Sequence, residues 1–418
     1  MIQGFLEAAA GQHCMATVLG LVARWLPGAP AVPCGNTGRM WLLRVGLYAL
    51  TSQKAVAEDW VYIFDHTVQL GKTKVLIIVG IRLSQWESQG RGPLRHKDIA
   101  VLDVVPMEHS SGDIVHARLN VVAQQTGTPR EIVSDGGTDL AKAIAQFQKE
   151  HPGVARGYDI KHKTALLLQR QLDKDPRWAN FVRNVTQARA RLALTGLACF
   201  CPPSLKPKAR YMNLEPLIRW GCRTLAFIDH PHDLPGQTVD VVVLREKLGW
   251  LGQYREALYH WSVLLQIAAT AESYVRAEGY HAGIASQLGE RLSGLAINEA
   301  AYAMGLAVIQ FVTEQSAQAR PGEKLIGSSE VLESLIGRYK RVQGTHSQGG
   351  VTPLILSVGA MVLDLSAETI RRALSAIRTH DVIQWCRDHL GFTLQSQRRY
   401  LHLEQKPETK LLSQPESF

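Results

Sequence analysis

Residues 60–70, WVYIFDHTVQL, set one acidic side chain in the middle of an apolar and β-branched run. Val, Ile, Tyr and Phe favour the pleated surface of a sheet, so the run predicts a β-strand over Trp60–Leu70. A carboxylate inside such a strand is costly to bury unless a cation or hydrogen-bond donors meet it. Two interpretations of Asp65 are therefore open: a core partner satisfies it, or it points into a site that binds a cation.

The segments after this strand predict the remainder of a mixed sheet. The tight connection at residues 70–73, LGKT, indicates an antiparallel hairpin. The predicted elements are strands at Lys74–Leu83 and Ile99–Met107, a helix at Gly112–Thr126, a strand at Arg130–Ser134, a helix at Thr138–Glu150 and a strand at Val154–Asp159. We expect Thr138 to be the N-cap of the second of these helices.

Helical patterns surround this α/β segment on both sides. Single helices are expected over residues 5–26 and 285–313, and the C-terminal region is helical from Ala367 to about Leu403. The predicted domains are a helical N-terminal arm at 1–55, the first part of the core at 56–162, a helical insertion at 163–325, a helix completing the core at 326–345, and a helical C-terminal region with a disordered tail at 346–418.

Composition describes an ordinary globular protein with an excess of basic side chains. The chain has 418 residues, 46% apolar and 20% charged, with a formal net charge of +9. This length predicts two or three domains, and the charge fits a polyanionic partner without requiring one. No apolar run is long enough to span a membrane, and the first residues lack the pattern of a signal peptide. We therefore expect a cytoplasmic protein without a membrane partner.

A second acid ends a predicted strand. Asp135 lies in IVSDGGTDL, residues 132–140, directly before two glycines. Side chains at strand ends beside flexible turns reach ligands, although a turn residue or a cap has the same pattern. Asp139 falls inside the following helix, where a solvated role is expected.

A third acid lies on a late helix, in GSSEVLESLIGRYK at residues 327–340. Ser328 or Ser329 is expected to cap this helix. Glu333 and Lys340 are two helical turns apart and project from one face, and Arg338 adds positive charge. The alternative is an ordinary amphipathic surface helix.

Three acids on different elements suit phosphoryl chemistry. Two divalent cations about 4 Å apart activate an attacking oxygen and stabilise a leaving one. Mg²⁺ prefers oxygen ligands, a few of them carboxylates.

The order βββαβαβ, with Asp65, Asp135 and Glu333 in these places, resembles the DDE transposases of bacterial insertion sequences, whose fold is RNase H-like. The long gap between Asp135 and Glu333 is similar to that of members with an insertion before the Glu. Residues 158–162, YDIKH, look like the C/D-x-x-H signature, and Glu333 with Lys340 is similar to half of the Y-R-E-K signature. The Tyr and Arg of that signature would fall at Ile326 and Ser329.

The resemblance implies a function for each of these residues. Asp65, Asp135 and Glu333 would be catalytic and bind two Mg²⁺ ions, for which Mn²⁺ would substitute. Lys340 and Arg338 would contact terminal DNA phosphates. His162 would position the scissile phosphate or a base; a structural His bonded to Asp159 is the alternative.

The leading hypothesis is a DNA transposase that cuts at transposon ends and transfers the 3′-OH into target DNA. Its partners would be double-stranded DNA and a second copy in a synaptic homodimer, in a bacterial cell and on the nucleoid when bound to DNA. Two alternatives are open: a catalytically silent, transposase-derived DNA-binding protein, and a metal-dependent nuclease. Tryptophans 178, 220, 250 and 261 would either stack on flipped bases or, as we expect, belong to the core.

Overall fold

In the computed structural model, the run around Asp65 forms strand β1 (Trp60–Val68). The next strands along the chain are β2 (Lys74–Arg82), β3 (Ala100–Met107), β4 (Glu131–Ser134) and β5 (Ala155–Tyr158). β1 pairs antiparallel with β2, β2 antiparallel with β3, and β1 parallel with β4. These four strands follow the order β3-β2-β1-β4 across the sheet. The predicted mixed α/β architecture and the element order βββαβαβ are confirmed.

The chain forms two units, Met1–Val154 with Ser329–Phe418, and Ala155–Ser328. The structure describes residues 1–8, 10–68, 70–204, 210–232, 234, 239–344 and 350–404. The helices in chain order are α1 (Ile2–Ala8), α2 (Gln12–Trp25), α3 (Gly35–Thr51), α4 (Leu83–Ser88), α5 (Gly112–Thr126), α6 (Thr138–Glu150), α7 (Ile160–Lys174), α8 (Pro176–Leu192), α9 (Glu215–Asp229), α10 (Val241–Leu248), α11 (Arg255–Glu278), α12 (Ile284–Leu292), α13 (Glu299–Ser316), α14 (Glu330–Gln343), α15 (Ser357–Val362), α16 (Ala367–Ala376), α17 (Thr379–Leu390) and α18 (Leu394–Glu404).

The sheet of the first unit buries both of its faces. Successive side chains of a strand point to opposite faces, so Tyr62 and Phe64 share one face and Ile63 and Asp65 the other. Tyr62 and Phe64 belong to a buried core with side chains of α5 and α6. Ile63 is fully buried as well. Because α14 packs against β1 and its own buried side chains lie outside the α5–α6 core, we infer that α14 covers the face of Ile63 and Asp65.

Glycines allow α3 and α15 of the first unit to approach each other backbone to backbone. A Cβ added to Gly46 would overlap the carbonyl oxygen of Leu356, and one added to Gly359 would overlap that of Gly46. No larger residue fits at either position unless the two helices separate.

In the second unit, side-chain amides serve the backbone of β5. Oε1 of Gln318 accepts from the N–H of Arg156 at 2.8 Å, and its Nε2 donates to the carbonyl oxygen of Arg156 at 3.0 Å. Oε1 of Gln315 accepts from the N–H of Tyr158 at 2.9 Å. These amides satisfy backbone groups of β5 as a neighbouring strand would.

The second unit also contains an aromatic core. The rings of Trp178 and Trp261 meet edge to face, with centroids 5.0 Å apart, and Phe181 contacts both. Trp178 and Trp261 are 4% and 2% exposed, which confirms that they are core residues. Trp220 and Trp250 are half-buried.

Three local predictions are wrong. The single helix expected over residues 5–26 is divided into α1 and α2, where Gly11 adopts an extended conformation at the N-cap of α2. The helix expected over 285–313 is divided into α12 and α13, because Asn298 caps α13 by accepting from the N–H of Ala301 at 2.8 Å. The N-cap of α6 is Gly137, and Thr138 is the first helical residue.

The predicted insertion, 163–325, lies within the second unit, which also contains β5 and the start of α7. The helical C-terminal region is three helices, α16 to α18. The predicted disordered tail falls on residues 405–418, outside the described residues. Among the helices that the structure describes, none combines the length and the hydropathy of a transmembrane segment.

Candidate functional site

The pairing of β1 with β4 sets Asp65 and Asp135 side by side. In this parallel ladder, Val61 lies opposite Glu131 and Ile63 opposite Val133. Continued by two residues, the register puts Asp65 opposite Asp135, on strands whose backbones are about 4.8 Å apart. By the alternation of side chains, both carboxylates belong to the face of Ile63, which α14 covers. From this register we infer that the sheet brings two of the three predicted acids near each other.

Both carboxylates are half-buried and accept hydrogen bonds from nearby backbone. Oδ1 of Asp65 accepts from the N–H of His66 at 2.6 Å. Oδ1 of Asp135 accepts from the N–H of Gly137 at 3.0 Å, across a turn in which Gly136 has a φ of 83°. Asp135 is therefore a turn residue, as one interpretation held, and it also lies at the edge of the sheet beside Asp65.

Glu333 occupies the first turn of α14 and is half-buried, on the helix that packs against β1. Ser329 stands at the N-cap position of this helix, one of the two residues predicted to do so. The structure therefore brings the helix of Glu333 to the strand of Asp65.

The oxygen donors at this edge fit Mg²⁺, although they do not form a complete cage. Among the residues that the structure describes, no three or more His, Cys, Asp or Glu side chains are grouped closely enough to hold a metal ion. Mg²⁺ commonly takes one or two carboxylates and completes its shell with water and substrate phosphates. Asp65 and Asp135, both half-buried, could supply those one or two carboxylates; Glu333 is not grouped with them closely enough to complete a site of three acids.

A second polar group lies beside this edge and was not foreseen from the sequence. Oγ of Ser110 donates to Oδ2 of Asp139 at 2.5 Å and lies 3.0 Å from Nε2 of His66. Asp139 is thus half-buried and hydrogen-bonded within the unit, in addition to the solvated role that was expected. No local spacing in the sequence links these three residues, because their contact depends on the pairing of the strands.

The charges of this group act on one another. Burial lowers the pKa of His66, against the opposing effect of Asp139 and of Asp135. Burial also disfavours ionisation of Asp139, but the hydrogen bond from Ser110 and the charge of His66 outweigh it and hold the pKa of Asp139 below its usual value. His66 and Asp139 thus influence each other's ionisation, and the charge of Asp135 acts on His66 as well.

The two predicted DNA-binding cations of α14 have different surroundings. Arg338 is half-buried; its guanidinium lies 3.5 Å from Nδ1 of His96 and donates to the carbonyl oxygen of Leu6 at 3.5 Å. Burial, followed by Arg338 and Arg341, lowers the pKa of His96. Lys340 is exposed. Of the two, Lys340 is the cation that is accessible to a phosphate.

His162, the remaining predicted site residue, belongs to the second unit. Asp159 is fully buried and is the N-cap of α7, where its Oδ1 accepts from the N–H of His162 at 2.9 Å. Nδ1 of His162 lies 3.3 Å from the same oxygen. The bond between Asp159 and His162 that one interpretation required is present, and the predicted DNA contact of His162 stays a prediction.

No protein-family model matches the sequence, and no curated protein matches it. Among solved structures, the chain is similar to the Drosophila P element transposase strand transfer complex, with 11% identity and a TM-score of 0.43 over 88% of this chain and 93% of that one. A similarity at this identity and TM-score supports neither a fold nor a function.

Proposed function

We propose that the protein is a DNA transposase of the DDE type, in which an RNase H-like unit carries Asp65, Asp135 and Glu333 as the catalytic acids. It would cut at transposon ends and transfer the freed 3′-OH into target DNA. The observation that supports this proposal is the parallel pairing of β1 with β4, whose register leads from Ile63 and Val133 towards Asp65 and Asp135. The packing of α14, the helix of Glu333, against β1 supports it as well.

The three acids would hold two Mg²⁺ ions, or Mn²⁺ in their place. When bound, these ions would supply Lewis-acid activation of the attacking oxygen and stabilisation of the leaving one. The chain itself would fix the acids in position: Asp65 through the backbone of β1, and Asp135 through the turn at Gly136 and Gly137.

Other residues would bind the substrate or support the acids. Lys340, exposed and on the same face of α14 as Glu333, would bind a DNA phosphate. Ser110 and Asp139 would hold the start of α6, and with it the turn that carries Asp135. Double-stranded DNA and a synaptic homodimer are the partners implied by the resemblance to DDE transposases.

The experiment is nicking of supercoiled plasmid by the full chain in Mg²⁺ or Mn²⁺, with Asp65→Asn, Asp135→Asn and Glu333→Gln as variants. We expect each variant to lose about a thousandfold or more in rate, since metal stabilisation of the transition state is worth several kcal/mol. Asp364→Asn is the matched control, because Asp364 is an exposed acid of the same unit. It should nick as the wild type does.

The alternatives give different results in the same assay. Wild-type protein that binds DNA and shows no metal-dependent nicking would favour the silent DNA-binding protein. Nicking without joined products, when a donor duplex with a free 3′-OH is added, would favour a nuclease. Nicking by all three variants at the wild-type rate would exclude the assigned acids.

A further inference from the structure

A cleft in the first unit is lined by three arginines from three different helices. It has a volume of about 590 Å³. Arg39 comes from α3, Arg387 from α17 and Arg399 from α18. Among the described residues that line the cleft there is no Asp or Glu. The cleft is therefore positively charged.

No ion pair or hydrogen bond joins the side chains of these arginines to a residue that the structure describes. Other arginines of the same unit do: Arg82 pairs with Asp59, and Arg44 donates to the carbonyl oxygen of Ile377. Three like charges that line one cleft repel one another, so an anion bound between them would relieve that repulsion.

The lining of the cleft is partly apolar. Met40, Leu43 and Val382 are among the side chains that line it together with the arginines. Arg39 is half-buried, whereas Arg387 and Arg399 are exposed. Cys386 also lines the cleft; burial raises the pKa of its thiol, and the charge of Arg39 opposes that effect, which puts Arg39 close to it.

We propose that this cleft binds the phosphate backbone of DNA, with Arg39, Arg387 and Arg399 as the phosphate contacts. The inference rests on the proposed function, which makes DNA the substrate. Cations that come from three helices, two of them exposed at the rim, suit a chain of phosphates that runs past the cleft more than a single enclosed ligand. Contacts of this kind fix the position of DNA without reading its sequence.

The proposal gives the N-terminal arm and the C-terminal helices one shared role, because α3 supplies one wall of the cleft and α17 and α18 the others. The binding it predicts is electrostatic. Each lost phosphate contact should reduce the slope of log K against log salt by about 1. At about 0.1 M salt this corresponds to a roughly tenfold loss of affinity for each arginine.

The test is fluorescence anisotropy of a labelled duplex with the full chain, over a series of salt concentrations. The variants are Arg39→Ala, Arg387→Ala and Arg399→Ala, with circular dichroism to show that each is folded. Arg371→Ala is the matched control: it removes the same charge from exposed α16 of the same unit, outside the cleft. We expect a roughly tenfold loss for each cleft variant and less than a twofold change for the control. Equal losses in all four variants, or none in the cleft variants, would overturn the proposal.

A footprint on Cys386 provides a readout that is independent of catalysis. Duplex DNA should slow alkylation of Cys386 several-fold and leave that of exposed Cys199, in the second unit, unchanged. Protection of Cys386 by a nucleoside triphosphate and not by the duplex would assign the cleft to a small phosphate ligand and overturn the proposal.

Slower nicking by Asp65→Asn with the footprint intact would support both proposals. If the duplex does not protect Cys386 and the wild type nicks DNA normally, the cleft proposal alone is rejected. If the duplex protects Cys386 and the wild type does not nick DNA, the proposed function alone is rejected.

Discussion

The sheet edge of the first unit and the start of α7 in the second both have acids that look functional in the sequence, but their surroundings differ. Asp65 and Asp135 are half-buried and each lies two residues beyond the paired Ile63 and Val133 of the parallel strands β1 and β4. Asp159 is fully buried, caps α7 and is bonded to the backbone and close to the ring of His162. An acid three residues before a His has the spacing of a helix N-cap, so capping accounts for the burial of Asp159. Asp135 also accepts a hydrogen bond in a turn, but it and Asp65 are only half-buried.

The largest expected effect is a loss of nicking activity in variants of Asp65 and Asp135 without a comparable loss of stability. Asp65→Asn and Asp135→Asn should lower the nicking rate about a thousandfold, because the ligands of the metal ions are lost. Their free energies of unfolding should stay within about 1 kcal/mol of the wild type, since both side chains reach solvent. Urea unfolding of the same samples checks the second part. An unfolding free energy that falls together with activity would make the two acids structural and end the contrast with Asp159.

The second prediction is the reverse pattern at Asp159. Asp159→Ala should lower the free energy of unfolding of the second unit by about 2–4 kcal/mol, because it removes a fully buried helix cap and leaves the N–H of His162 without this acceptor.

The control for Asp159 is Asp240→Ala, an N-cap acid of α10 that accepts from the N–H groups of Val242 and Val243 nearer the surface. It should cost about 1 kcal/mol. Urea unfolding followed by tryptophan fluorescence measures both variants. Equal effects would mean that the burial of Asp159 adds nothing to its role as a cap.

Much of this arrangement follows from the sequence, and some of it does not. The strand of Asp65 follows from its apolar and β-branched composition, and the helix Gly112–Thr126 has the predicted bounds. Short-range patterns do not reveal the helix breaks at Gly11 and Asn298, because one polar or small residue within an apolar pattern decides each of them. The group of His66, Ser110 and Asp139 was missed because residues far apart in sequence meet only once the sheet has paired.

The third prediction concerns the hydrogen-bonded group of His66, Ser110 and Asp139 and its support of Asp135. Ser110→Ala should lower the free energy of unfolding of the first unit by about 1 kcal/mol, the usual value of one hydrogen bond, and slow nicking several-fold. Ser88→Ala is the control, since Ser88 is exposed and its hydroxyl donates to the carbonyl oxygen of Gln85, one turn earlier in α4. Unchanged nicking by Ser110→Ala would remove Ser110 from the support of Asp135.

The smallest effect is a pH dependence in the second unit. Burial raises the pKa of Glu272, against the hydrogen bond from Thr164 and the charges of Lys161 and Arg276. A carboxyl with a raised folded pKa contributes stability below its unfolded pKa of about 4.5 and loses it as the pH rises through the folded value.

Glu272→Gln should therefore be more stable than the wild type at neutral pH and not at pH 4, by about 1.4 kcal/mol for each unit of the shift. Urea unfolding from pH 4 to pH 8 measures the difference between the two proteins. A difference that stays constant over this range would show that Glu272 ionises normally in the folded protein.

The central claim is that Asp65 and Asp135 converge on a metal ion when DNA is present. Calorimetric titration of Mn²⁺ into the protein with duplex DNA tests it most directly, for the wild type, Asp65→Asn, Asp135→Asn and the control Asp364→Asn. We predict binding by the wild type and by Asp364→Asn, and its loss in the other two variants. Equal Mn²⁺ binding by all four proteins, or no binding by the wild type, would contradict the claim.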